Sequence, residues 1–134
     1  MTVVLLDTNA YRLMLAGDSV IGDFVKKAKT IYISLIVLGE LYSSFKGGTR
    51  EKENLEILAD FLEQSSVKIA ILTNDTSKLY GNILASLYKL GRPIPTNDIW
   101  IAATAKELGA TIITYDRHFL NIPGVKVWNK IKDY

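Results

Sequence analysis

The chain of 134 residues has no cysteine, which excludes a disulfide framework and a thiolate zinc site. It has one histidine, His118, so any metal must be held by oxygen donors or by that single imidazole. No apolar run approaches the ~20 residues of a membrane span. The opening Met-Thr-Val-Val-Leu-Leu lacks a basic stretch and meets Asp7 too early for a signal peptide. These absences predict a soluble, cytoplasmic protein. An excess of charge is also missing: 16 Lys and Arg against 14 Asp and Glu leave +2, too little by itself to announce a nucleic-acid binder. With 49% hydrophobic and 22% charged residues the composition is globular, and the expected organisation is one domain over residues 1–134.

What is present reads as strands alternating with helices. Residues 2–6 are uncharged and β-branched or aliphatic, as in a strand buried on both faces of a parallel sheet. The strand stops at Asp7, and Tyr11, Leu13, Met14 and Leu15 suit a short helix ending near Gly17. Asp18 or Ser19 caps a second helix running to Ala28. Ile31-Tyr32-Ile33 form a second strand, and Ser34 caps a helix over residues 35–45 that is apolar nearly all round. Such a helix packs inside the domain or against another subunit. Thr49 is the expected cap of the next helix, with Leu55, Ile57, Leu58, Ala59, Phe61 and Leu62 on its apolar side. Residues 67–72 read as the third strand, and Thr73-Asn74-Asp75 as the cap of a helix closed by Gly91. A loop with Pro93 and Pro95 delivers the chain to Asp98, which opens a largely apolar helix stopped by Gly109. Residues 111–114 form the fourth strand, and residues 125–128 a short edge strand before a polar tail. The pattern predicts an α/β fold with a mainly parallel sheet covered by helices on both faces. It does not specify the order of the strands.

The acids divide unevenly. Ten of the fourteen sit among other charges, at caps or in the tail; Asp7, Glu40, Asp98 and Asp116 stand alone in or beside apolar runs. From Thr30 through Phe45, Glu40 is the sole Asp, Glu, Lys or Arg, and burying a lone carboxylate is costly. Asp7 and Asp116 fall at or just past the ends of strands, Asp98 in a first helical turn, and Glu40 within about two turns of a helix start. All four are thereby expected at the carboxyl edge of the sheet, where α/β proteins bind ligands. Asp7 taken alone reads equally well as a helix cap. Four carboxylates together repel one another, and a hard divalent ion, Mg²⁺ or Mn²⁺, relieves that repulsion. Such a site suits phosphodiester hydrolysis, with Asp7, Asp98 and Asp116 as ligands and a carboxylate free of metal as general base. Asn9 and Thr114 are the expected supports. Arg117 and His118 are candidate substrate contacts, although a surface arginine and a packed or exposed histidine are the plainer readings.

Taken in order, Leu5-Leu6-Asp7-Thr8-Asn9, Ser34 to Glu40-Leu41, Pro95-Thr96-Asn97-Asp98-Ile99-Trp100 and Ile113-Thr114-Tyr115-Asp116-Arg117-His118-Phe119 resemble the PIN-domain ribonucleases. The resemblance is strongest to the VapC-type toxins of toxin-antitoxin pairs and covers essentially the whole chain. It implies a Rossmann-like three-layer α/β/α sandwich and a Mg²⁺- or Mn²⁺-dependent endoribonuclease. The family's acids match Asp7, Glu40, Asp98 and Asp116, and its hydroxyl residue matches Thr114. Also implied are a homodimer, an RNA substrate such as tRNA or ribosomal RNA, and a cognate antitoxin laid over the active site. Some members carry a further acid where Arg117, His118 and Phe119 stand here, which puts a second metal position in doubt. The alternatives are a housekeeping RNA-processing nuclease and a PIN-fold module that binds RNA or protein without cutting. Other α/β classes fit poorly: Asp7-Thr8-Asn9 lacks the second carboxylate of a haloacid-dehalogenase-type phosphatase and the paired acids of a receiver domain. It also lacks the glycines of a dinucleotide-binding turn.

Overall fold

Apolar runs cannot leave their backbone polar groups unpaired inside a core, and here they satisfy one another as a parallel sheet. The computed structural model describes residues 2–128. Its strands are β1 (Val3–Leu6), β2 (Thr30–Ser34), β3 (Val67–Ala70) and β4 (Thr111–Ile113). They lie in the order β3-β2-β1-β4, and every pairing is parallel. β1 is central, with Val3 opposite Thr30 and Leu6 opposite Ile113. Its Val4, Leu5 and Leu6 are fully buried, each stabilising the fold by roughly 1.5–3 kcal/mol.

Six helices supply the crossovers: α1 (Thr8–Leu15), α2 (Ser19–Lys27), α3 (Leu35–Gly47), α4 (Glu51–Leu62), α5 (Asn74–Leu90) and α6 (Thr96–Leu108). The architecture is the expected α/β sandwich. From β1 the chain steps outward to β2 and β3, then returns past β1 to reach β4 on the opposite side. The junction of β1 and β4 is therefore a topological switch point, where the loops at the carboxyl ends diverge and leave a crevice. Tyr11, Ile21, Leu41, Leu58, Leu87 and Ile101, one from each helix, join the buried strand residues in a continuous hydrophobic cluster. The last two helices are tied by Tyr80 stacking on Trp100, with centroids 4.1 Å apart. Glu107 adds to this by accepting from the hydroxyls of Thr73 and Thr76, which form a capping box at the start of α5. Among the described residues no helix is long and apolar enough to cross a membrane.

Several boundaries differ from the sequence reading. β3 stops at Ala70 because its partner β2 ends at Ser34, the residue opposite, and turns into α3. Ile71 beyond it is 64% exposed. Thr49 does not cap α4; Arg50 takes that position without a side-chain cap bond and pairs instead with Glu53. On α4, Leu58 and Phe61 are buried, while Leu55 and Ile57 are exposed. α6 begins at Thr96, which places Asp98 within its first turn. Residues 125–128 make a single parallel bridge, Ile112 to Val127, rather than a strand. The polar tail lies outside the described residues.

Candidate active site

Asp7 leaves β1 at the switch point and is buried. Its Oδ1 accepts the Ala10 N–H at 2.7 Å and so caps α1. The cap reading is thus correct for one oxygen. The other, Oδ2, accepts the hydroxyl of Thr114, a buried residue just beyond β4. The same Thr114 oxygen accepts the Asp116 N–H at 2.9 Å, so one hydroxyl ties Asp7 to the backbone that carries Asp116. Burial pushes the Asp7 carboxyl up to about 6. The Thr114 and Ala10 hydrogen bonds pull it down, and the charges of Asp116 and Asp98 raise it further.

Asp98 and Asp116 converge on His118. The 3-10 helix Arg117–Asn121 starts with Asp116 as its cap, whose Oδ1 accepts the His118 N–H at 2.9 Å. This turn folds the imidazole back over the acids. His118 Nδ1 lies 3.2 Å from Asp116 Oδ1 and 3.3 Å from Asp98 Oδ2. One ligand atom from each of Asp98, Asp116 and His118 lies within 4.8 Å of the others. Burial holds the Asp98 carboxyl above its ordinary value; the His118 hydrogen bond opposes this, and the charges of Asp116 and Glu40 reinforce it. Glu40 projects from α3, where the Thr8 hydroxyl donates to its Oε1 at 2.7 Å. The four isolated acids thus act on one another electrostatically, and the tight cluster among them is Asp98 with Asp116 and His118.

The supports are distributed differently from the sequence reading. Asn9 is exposed and its Oδ1 accepts from Arg12 at 3.4 Å; the groups that hold Asp7 are Ala10 and Thr114. Thr8, which sequence reasoning passed over, is the residue that fastens Glu40. Its only signal was its place one residue after the isolated Asp7. Arg117 is exposed on the 3-10 helix. Arg12, also missed, lines two grooves: one of about 600 Å³ with Gly39, Glu40, Ser43 and Asn97, and one of about 440 Å³ with Asn9, Tyr115 and Asp116. A helix-borne arginine between two acidic grooves carries no marker in the sequence.

Fold and site together define an α/β protein with an acidic centre at the switch point of a parallel sheet. A family model described as PIN domain matches residues 4–125. Ribonuclease VapC2 of Rickettsia felis is 30% identical over 96% of this chain and 99% of its own length. Ribonuclease VapC2 of Haemophilus influenzae is 29% identical over 93% of this chain and 96% of its own. Among solved structures, the fold is matched in VapBC2 from Rickettsia felis bound to a DNA fragment from their promoter, with a TM-score of 0.82 and 28% identity over 95% of this chain and 98% of that one. The chain belongs to the PIN-domain family, in the VapC group that these relatives represent.

Proposed function

We propose that the chain is a Mg²⁺- or Mn²⁺-dependent endoribonuclease and the toxin of a toxin-antitoxin pair, acting in the cytoplasm. The observation that carries this reading is the convergence of Asp98 and Asp116 beside Asp7 at the switch point of the sheet. The donor set fits the ion: carboxylate oxygens dominate, no thiolate competes, and Asp7 and Asp98 hold protons above their ordinary range, first through burial and then through neighbouring acids whose charge a cation would compensate. Asp7, Asp98 and Asp116 are the proposed ligands. When bound, the ion supplies a Lewis acid that activates water and screens charge building on the phosphate.

The chain's own groups complete the arrangement. Thr114 orients Asp7 and the Asp116 backbone together. Glu40, which accepts the Thr8 hydroxyl, is the proposed acceptor of the attacking water's proton. Arg12, lining both grooves, and Arg117, exposed beside Asp116, offer guanidinium groups to the RNA phosphates on either side of the cut. Two relatives are named as ribonucleases, and the Rickettsia felis structure holds a VapBC pair, which supports an antitoxin partner here. A homodimer is part of the same reading, supported by Leu35 and Tyr42, each 43% exposed on α3.

Purified protein is expected to cleave RNA with Mg²⁺ or Mn²⁺, to stop when chelator is added, and to lose activity in Asp98→Asn. Undiminished cleavage by Asp98→Asn overturns the site. Growth arrest on expression, relieved by the product of an adjacent gene, distinguishes a toxin from a housekeeping enzyme. Metal-dependent binding of RNA without cleavage would instead identify a binding module.

A further inference from the structure

We propose that His118 is itself a ligand of the divalent ion, through Nδ1, and that this imidazole tilts the site toward Mn²⁺ over Mg²⁺. The inference rests on the metal-dependent reading above and adds to it a donor of a different chemical kind.

The geometry is that of a coordination corner. Two cis donors on an octahedral ion with bonds of ~2.1 Å stand ~3.0 Å apart. His118 Nδ1 stands 3.2 Å from Asp116 Oδ1 and 3.3 Å from Asp98 Oδ2. Facing two carboxylates alone, Nδ1 acts as a hydrogen-bond donor; the neutral ring with its proton on Nε2 presents a lone pair to a cation at the same place. The backbone that carries the half-exposed ring is fixed, because the His118 N–H is fastened to Asp116 Oδ1 at 2.9 Å and the neighbouring Phe119 is 1% exposed in the core.

Charge favours an imidazole here. Asp7, Glu40, Asp98 and Asp116 already bring four carboxylates to this end of the sheet, two of them within 3.3 Å of the ring. A further carboxylate would add to their repulsion, whereas a neutral imidazole adds a donor without adding charge. Nitrogen donors suit Mn²⁺ and later first-row ions better than Mg²⁺, which prefers oxygen throughout.

Electron spin-echo modulation of the Mn²⁺-loaded wild-type protein tests the contact directly, since a coordinated imidazole couples its ¹⁴N nucleus to the manganese spin. The expected result is ¹⁴N modulation that disappears in His118→Ala. That variant is also expected to bind Mn²⁺ about 10-fold more weakly by calorimetry, with Mg²⁺ binding changed by a smaller factor. Mn²⁺ binding without ¹⁴N coupling, or affinity unchanged or tightened in His118→Ala, overturns the imidazole contact and leaves the metal-dependent nuclease standing. Absence of any Mn²⁺ or Mg²⁺ binding at millimolar concentration overturns both. The wild-type spectrum decides the contact even if the variant proves unstable.

Discussion

Asp7→Asn removes a charge that the fold keeps at a cost, and in metal-free buffer it should make the protein more stable. The Asp7 carboxyl is 6% exposed, and burial is the largest cause of its rise from 3.8 to about 6. At about 1.36 kcal/mol per pH unit, ionising it inside the protein costs about 3 kcal/mol more than in the unfolded chain at pH 7. Asparagine has nearly the same shape and still offers an oxygen to the Ala10 N–H. It changes the bond with Thr114, which takes back about 1 kcal/mol. The expected net gain is about 1–3 kcal/mol, or roughly 3–10 °C in Tm for a chain of this size.

The pH dependence has a definite sign. Between about 4 and about 6 the native state holds a proton on Asp7 that the unfolded chain has released. Wild-type stability from this group therefore falls as pH rises through that window and levels off above it. The Asp98 carboxyl, also raised, acts in the same direction in both proteins, and the repulsion between Asp7 and Asp98 that the substitution removes adds to the variant's gain. Urea denaturation of wild type and Asp7→Asn in chelator, from pH 4 to pH 8, should show two nearly coincident stabilities at the acid end and a widening gap toward pH 7. A variant less stable than wild type at pH 7, or a gap independent of pH, refutes the claim that Asp7 is an ionised group held against its burial. RNA cleavage should be lost in the same variant, so that stability and activity move in opposite directions, as expected where a site is built for function rather than for the fold.

Thr114→Val should destabilise by about 2 kcal/mol or more, because it strands Asp7 Oδ2 and the Asp116 N–H, while Thr114→Ser should stay within about 1 kcal/mol of wild type. Urea curves of the two variants side by side check this. Tyr11→Phe should be neutral or stabilise by up to about 1 kcal/mol, since the Tyr11 hydroxyl is buried and has no hydrogen-bond partner among the described residues. A loss above that size by thermal melting would mean that the hydroxyl is satisfied. Thr8→Val should leave stability within about 1 kcal/mol yet lower kcat for RNA about 10-fold or more, because it removes the hydroxyl that holds Glu40. An unchanged kcat would remove Glu40 orientation from the proposed chemistry.

What could be read before folding was whatever depends on neighbours in sequence. The uncharged run ending in Asp7, the lone Glu40 in an apolar helix, and the helix stops at Gly91 and Gly109 are local facts. The structure puts both glycines in the left-handed cap conformation, with φ of 63° and 64°. Isolation of a charge in an apolar segment is a statement about cost, and cost is what made Asp7 and Asp98 visible; their raised carboxyls are that cost expressed as proton affinity. What escaped depends on separations that sequence does not carry. The end of β3 was set by where β2 stops pairing, and the strand order by which way each crossover turns. His118 looked unremarkable next to Phe119 because its partner Asp98 is 20 residues away and meets it only after Asp116 caps the 3-10 turn. Thr8 and Asn9 differ by one residue, which on a helix is about 100° of rotation; that rotation sends Thr8 to Glu40 and Asn9 to Arg12. Sequence reasoning can therefore nominate charged residues by what they cost, while the neutral side chains that aim them are chosen by helical phase and become visible only once the phase is known.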